Sequence, residues 1–437
     1  MIISKKVMAK NGKNNKKILF GIITMLFVFW GLANNMTGAL LSAFDRVLQM
    51  TEIQQYFIEY AFYVAYFCFA VPSALFIIKR SYKSGIILGL VLYATGAIMF
   101  FPAAGISNYT FYLVAVYIMA GGCSLLETVA NPYILVMQDS HEEGVKKLNL
   151  AQAFNPLGII TGILMSRFLV TQNMPDVNPE IIVEELDAVT LVYAIVGQAL
   201  LVFMVILIFM NVPSFGTEKL EKISFGKAVK KLAKNKVYVF GLVTEFFYLG
   251  AQVGSWGFAN SATESAIKGT DISLPDIAFW TIAAFAIARF AFTFLMNYFQ
   301  PEKLLLFAST ASVLFSLIVM FGSGYIVIIA VLGISVCMSL MFSTIFANAL
   351  EGTTTEKLWG ASFLVMSISG GAVFPPLQDY ISDNYGVQAA FAIPAVCFIV
   401  VMSYSLYLLS NKQQVTFKFD LGLEENDEEE ETEKQLN

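Results

Sequence analysis

Four ionisable residues interrupt long apolar runs in this chain: Glu59, Glu127, Glu245 and Arg289. A charge in hydrocarbon costs a few kcal/mol or more, so a group kept there exchanges protons, pairs with an opposite charge or holds a polar ligand. Glu127 stands in LLETVANPYILV, where Ser124, Glu127 and Asn131 follow at spacings of three and four and so share one helix face. The next apolar segment opens LNLAQAFNPLG, and its Asn149, Gln152 and Asn155 form a second polar stripe at the same depth. Two facing stripes make a wet pocket. The alternative for Gln152 and Asn155 is hydrogen-bonding glue between helices.

Glu245, Gln252, Trp256 and Asn260 repeat the pattern at spacings of seven, four and four. Carboxylate and amide groups beside an indole suit a sugar, whose hydroxyls need donors and acceptors and whose C–H face stacks on an aromatic ring. The plainer role for such a Trp is packing or anchoring at the membrane interface. Arg289, in AFAIARFAFTF, lies too near mid-helix to reach the surface. It pairs with a carboxylate such as Glu245 or hydrogen-bonds a ligand, and a purely structural ion pair is the third option. Arg167 lies close to a helix end, where it can snorkel, and takes no role.

Metal and enzyme chemistry find little support. The sole histidine, His141, falls in a charged cytoplasmic loop, and Cys68, Cys123, Cys337 and Cys397 all fall in apolar segments, where they read as core. No acid/base or metal-ligand constellation is visible, so no enzyme activity, cofactor or metal is expected.

These residues need helices in a bilayer to hold them. Of 437 residues, 57% are hydrophobic and 14% charged, and the mean hydropathy is +0.69, which is membrane-protein composition. About 20 residues of helix cross the hydrocarbon. Twelve such stretches can be marked: 18–44, 55–78, 85–104, 110–137, 149–171, 187–211, 237–264, 275–298, 302–322, 324–350, 359–382 and 387–410. The Lys-rich start precedes an apolar run too long for a signal peptide, so that run is the first helix.

A charged break at 212–236 separates six helices from six. The expected organisation is a cytoplasmic N-terminus (1–17), a six-helix bundle (18–211), a cytoplasmic linker (212–236), a second bundle (237–410) and a disordered acidic tail (411–437). The linker has helical spacing, with Leu220, Ile223, Val229 and Leu232 on an apolar side suited to the anionic inner leaflet. All but four of the 27 Lys and Arg fall on the side that holds both termini. Positive charge is retained in the cytoplasm, so both termini are placed there. The one external loop of any length is MPDVNPEIIVEELD, between helices five and six.

A twelve-helix bundle without rings of charge or a pore loop does not read as a channel. Breaks such as Gly121-Gly122, Asn131-Pro132, Gly370-Gly371 and Pro375-Pro376 instead favour bending helices and alternating access to a midplane site.

FWGLANNMTGALL, PSALFIIKRSYKSGIILGL, CSLLETVANPY, KLNLAQAFNPLG, YLGAQVGSW and SGGAVFPPLQDYISD together resemble the fucose/galactose/glucose:proton symporter family of the major facilitator superfamily. The resemblance runs from about Phe29 to Asp383. It implies an all-α fold of twelve transmembrane helices in two six-helix halves, working as a monomer in the bacterial inner membrane. It also implies a monosaccharide and protons as partners, with no nucleic acid. Glu127 is the implied proton carrier, Asn35, Gln152 and Asn155 the implied polar neighbours, and Arg289 the implied helix-eight arginine. The family's helix-one aspartate is replaced here by Gly38, which opens three possibilities: an uncoupled facilitator or exchanger, coupling by Glu127 alone, or another group. A sugar sensor that moves nothing is the remaining reading, and the chain lacks the long soluble domains that would favour it. Glu59 is one substitute, since it and Gly38 both lie about 6 to 9 Å below the outer surface. Its plain reading is a wetted residue in the outer vestibule.

Overall fold

The computed structural model describes residues 17, 19–32, 45, 48–106, 108–138, 140–169, 179–209, 223–268 and 276–420. Asn35 and Gly38 lie outside them. Eleven helices among these residues are long and apolar enough to cross a membrane: Ile53–Lys79, Tyr82–Ile106, Tyr109–Val136, His141–Met165, Thr190–Phe209, Lys236–Gly257, Ile277–Leu295, Pro301–Phe321, Tyr325–Ala349, Lys357–Tyr385 and Ala389–Asn411. A shorter apolar helix, Leu19–Leu32, precedes them. They are called the first to twelfth spans in chain order.

Polar caps fix where several spans begin. Thr51 and Gln54 form a reciprocal capping box at the second. Asn108, Asn235 and Asp276 accept from the backbone N–H of Phe111, Tyr238 and Phe279 at the fourth, seventh and eighth. Each satisfies an otherwise orphaned donor.

Three boundaries differ from the sequence reading. His141 is not in a loop: Ser140 caps a helix His141–Gln152, and Glu142 and Glu143 occupy its first turn, where the helix dipole favours acids. The sixth helix begins at Pro179, inside the expected external loop, because proline suits the first helical position. The last helix runs to Asp420, past the boundary expected at 410, with no glycine or proline to stop it before Gly422. Residues 421–437 lie outside the described residues.

The linker helix is Phe225–Lys234. Of the residues expected to face the leaflet, Leu232 is buried in the protein and Val229 is exposed, Ala228 is buried beside Leu232, and Leu220 lies outside the described residues. That face rests on protein, with the Phe225 ring 5.2 Å edge-on from Trp359 and Lys231 Nζ 2.8 Å from Glu356 Oε2. Burial pushes the Glu356 carboxyl up. The Lys231 ammonium, Glu356's own backbone N–H and Thr355 outweigh that and hold it below the ordinary carboxylate value.

Several spans are broken at mid-depth. The fifth turns at Ala153 and Phe154 between His141–Gln152 and Asn155–Leu169. The tenth turns at Ser339 and Leu340, and the eleventh passes through a tight helical turn at Ser367–Ser369. The fourth runs unbroken through Pro132. Contacts between the halves run mainly through the second and eleventh, fourth and eleventh, fifth and eighth, and fifth and tenth spans.

The first and fifth spans touch backbone to backbone. A Cβ at Gly31 would strike the carbonyl oxygen of Asn155, and one at Gly158 would strike that of Val28. Only glycine permits this approach.

Candidate functional site

Glu127 lies nine residues from Val136, Glu245 nine from Lys236 and Gln152 eleven from His141. At 1.5 Å per residue these are depths of about 14 to 16 Å, the middle of the bilayer.

A chain of hydrogen bonds crosses between the halves at that level. Asn131 Nδ2 donates to Glu127 Oε1 at 3.5 Å, and Gln152 Nε2 donates to Asn131 Oδ1 at 3.0 Å. Arg289 then donates to the backbone carbonyl of Gln152 and to Ser343 Oγ, each at 3.2 Å. The first step is long and the others are ordinary. Glu127, Asn131, Gln152 and Arg289 are all at least 96% buried, with exposures of 2%, 0%, 4% and 4%.

The arginine's anchor has a cause in the sequence. In a continuous helix the carbonyl of Gln152 would receive the backbone N–H four residues on, and that residue is Pro156, which has none. The helix therefore stops at Gln152 and leaves its last carbonyls seeking donors at the negative end of the dipole. The guanidinium supplies both donor and positive charge.

Aromatic walls flank the chain on either side. In the C-terminal half Phe285 lies between Arg289, 5.1 Å from its ring centre, and Trp256, whose ring centre is 5.0 Å away and edge-on. The Trp256 indole N–H is tied to Ser335 Oγ at 3.0 Å. In the N-terminal half Trp30 and Tyr66 stack at 6.4 Å, and Ser124, on the Glu127 face, donates to the Tyr66 carbonyl at 3.3 Å. The Trp30 indole N–H faces the Tyr66 hydroxyl, and neither has another partner among the described residues. Sequence reasoning missed Trp30, Tyr66 and Ser343. Trp30 and Tyr66 lie in ordinary apolar runs, and only the third dimension brings Tyr66 near Glu127 and Trp30 onto Tyr66.

Other expected residues take different places. Asn155 donates to the backbone carbonyl of Phe27 at 3.2 Å, joining the fifth span to the first, and is outside the chain. Asn149 donates to Val145 O and Thr344 Oγ1. Gln252 is half-buried. Asn260 accepts from the backbone N–H of Ala278 at 2.9 Å and donates to Asp276, so it ties the seventh helix to the start of the eighth.

Glu245 corrects one expectation. It is fully buried, yet forms no ion pair with Arg289, and neither carboxylate oxygen has a hydrogen-bond partner among the described residues. The guanidinium is drawn instead to Gln152 and Ser343, whose acceptors converge on it. Glu59 is exposed, with Asp379 of the eleventh span its charged neighbour. Cys68 is exposed rather than core, and all four cysteines are free. No group of three His, Cys, Asp or Glu that could hold a metal occurs among the described residues.

Residues 19–368 match the sequence profile of the Major Facilitator Superfamily. The L-fucose-proton symporter of Haemophilus influenzae is 35% identical over 408 residues, covering 88% of this chain and 95% of that one. The L-fucose-proton symporter of Escherichia coli is 32% identical over 407 residues, covering 89% and 93%. The glucose/galactose transporter of Brucella abortus is 29% identical over 388 residues, covering 88% and 92%. A crystal structure of the fucose:proton symporter FucP in its outward conformation superposes with a TM-score of 0.81 at 31% identity, covering 90% of this chain and 99% of that one. The chain belongs to the major facilitator superfamily, and within it to the fucose/galactose/glucose:proton symporter family. It is a multi-pass membrane protein whose twelve transmembrane helices form two six-helix halves.

Proposed function

We propose that this protein is a secondary active transporter that imports a monosaccharide, L-fucose or a related hexose such as galactose or glucose, together with protons. The supporting observation is the hydrogen-bonded chain from Glu127 through Asn131 and Gln152 to Arg289 and Ser343, which joins the two halves at the depth where an alternating-access carrier holds its cargo. Amide, carboxylate and guanidinium groups answer sugar hydroxyls, and Trp256 with Phe285 on one side and Trp30 with Tyr66 on the other offer surfaces for the sugar's C–H faces. Gln252, half-buried one turn from Trp256, is a further donor and acceptor for the sugar.

Glu127 is the proton carrier in this reading. A proton from external water adds to its carboxylate and removes a charge that is costly to move through the bilayer. Sugar and proton each favour the conformation the other needs, so they cross together. Asn155 serves packing, and Asn35 stands as a sugar contact on the resemblance alone. Glu59, exposed beside Asp379, lines the outer mouth. The chain lies in the bacterial inner membrane as a monomer with both termini in the cytoplasm.

Purified protein in liposomes tests this directly. An inward proton gradient should raise initial uptake of radiolabelled sugar and drive accumulation above equilibrium. Equal initial rates with and without the gradient, and no accumulation, would establish an uncoupled facilitator instead. A competition panel of monosaccharides identifies the sugar.

A further inference from the structure

Arg289, Glu127 and Glu245 lie within electrostatic range of one another, on the eighth, fourth and seventh spans, and each is at most 4% exposed. Their hydrogen bonding is unequal. Arg289 is held by Gln152 and Ser343, and Glu127 accepts from Asn131. Glu245 accepts from nothing among the described residues, and Glu127 Oε2 and Arg289 Nε are likewise without partners.

Charge counting makes this informative. One guanidinium faces two carboxyls, so with both ionised the cluster carries a net negative charge in the middle of the bilayer, which hydrocarbon disfavours. One proton brings the cluster to neutrality. Amide donation from Asn131 suits an ionised Glu127, while no donor at all meets the oxygens of Glu245. The other titratable groups bearing on Glu245 are Tyr248 of its own span, whose hydroxyl donates to the Met338 carbonyl at 2.9 Å, and Tyr404 of the twelfth, whose buried hydroxyl has no hydrogen-bond partner among the described residues. Neither is a cation.

We propose that Glu245 is a second proton-exchanging carboxyl of the transport site, sharing the single positive charge of Arg289 with Glu127 in turn. When Glu245 holds the proton, Arg289 answers Glu127. When sugar binds and a proton from external water adds to Glu127, the guanidinium is free to answer Glu245, whose own proton leaves to cytoplasmic water. Glu127 then gives up its proton to water and Glu245 takes one up, which restores the starting state. Each step forms one carboxyl O–H bond from water and breaks another into water, with nothing oxidised or reduced.

This inference rests on the symport reading, and the experiment separates the two. Liposomes holding wild type, Glu245→Gln or Glu245→Asp are loaded with a pH-sensitive dye, and proton flux evoked by L-fucose, D-galactose or D-glucose is divided by the sugar counterflow rate of the same preparation. For Glu245→Gln that ratio should fall at least fivefold, and Glu245→Asp should restore at least half of it. If Glu245→Gln leaves too little counterflow to form a ratio, restoration of both fluxes by Glu245→Asp upholds the assignment. A ratio in Glu245→Gln within twofold of wild type, or a Glu245→Asp protein no better than Glu245→Gln, overturns it. Absence of sugar-evoked proton flux in the wild type instead removes the symport reading itself.

Discussion

Arg289 reaches across from the eighth span to donate to the backbone carbonyl of Gln152 at 3.2 Å. This bond joins the halves at the point where the fifth span is broken. It sets Arg289 at the end of the chain that begins at Glu127, with Gln152 and Asn131 between them. A charge at each end and neutral amides between them make protonation at one end felt at the other.

Replacing Glu127 by Gln should remove that signal while leaving a hydrogen-bonding group of similar size. Gradient-driven accumulation is expected to fall to the equilibrium level, with exchange of labelled for unlabelled sugar still measurable. Accumulation in Glu127→Gln liposomes equal to wild type would take the residue out of the coupling mechanism.

Gln152 and Asn155 should separate into two kinds of effect. Gln152→Ala breaks the link to Asn131 and should raise the KM for sugar about tenfold, since a lost hydrogen bond to a polar ligand or network is worth roughly 1 kcal/mol or more. Asn155→Ala loses its bond to Phe27 and should cost about 0.6 to 1.7 kcal/mol of stability, read as a lower melting temperature in detergent, with KM within threefold of wild type. The reverse pattern would exchange their roles.

Trp30 and Tyr66 should matter to sugar more than to fold. Trp30→Ala is expected to weaken sugar binding about two- to tenfold, on the scale of an aromatic contact. Tyr66→Phe keeps the ring and should have the smaller effect. Isothermal titration on purified protein measures both, and unchanged affinity in Trp30→Ala would leave this wall without a role.

The Lys231–Glu356 pair should give a pH-dependent docking of the linker helix. The folded carboxyl titrates below the ordinary value of 4.5, so its stabilising effect is complete above that value and is lost as pH falls through the lower folded value. The difference in melting temperature between wild type and Glu356→Gln should be present at pH 7 and shrink as pH drops below about 4.5. A constant difference across that range would assign the effect to packing.

Much of this was legible in the sequence because membrane helices announce themselves by length and polarity. Spacing put Glu127 and Asn131 on one helix face and depth put Gln152 level with them on the next helix, and hydrogen bonds join the three. The Arg289 partner was not legible, because the acceptor is a main-chain carbonyl at a helix end and sequence patterns count side chains. Nor were the partners of Asn260 legible: it bonds Asp276 and the backbone of Ala278 just past the break between Gly257 and Ala259, while Trp256 bonds Ser335. Trp30 and Tyr66 were hidden in apolar runs whose orientation only packing decides.

The proline after Asn155 has a consequence for reading genetic variation at this site. Since Arg289 holds a backbone oxygen, every residue type at position 152 offers the same acceptor, and a mutational scan there reports only on the amide link to Asn131. The codon that governs the arginine's anchor is 156, four positions on, where any residue with an N–H offers the carbonyl an internal partner. A variant at that position would register as a change in sugar handling, although it is not itself a member of the hydrogen-bonded chain.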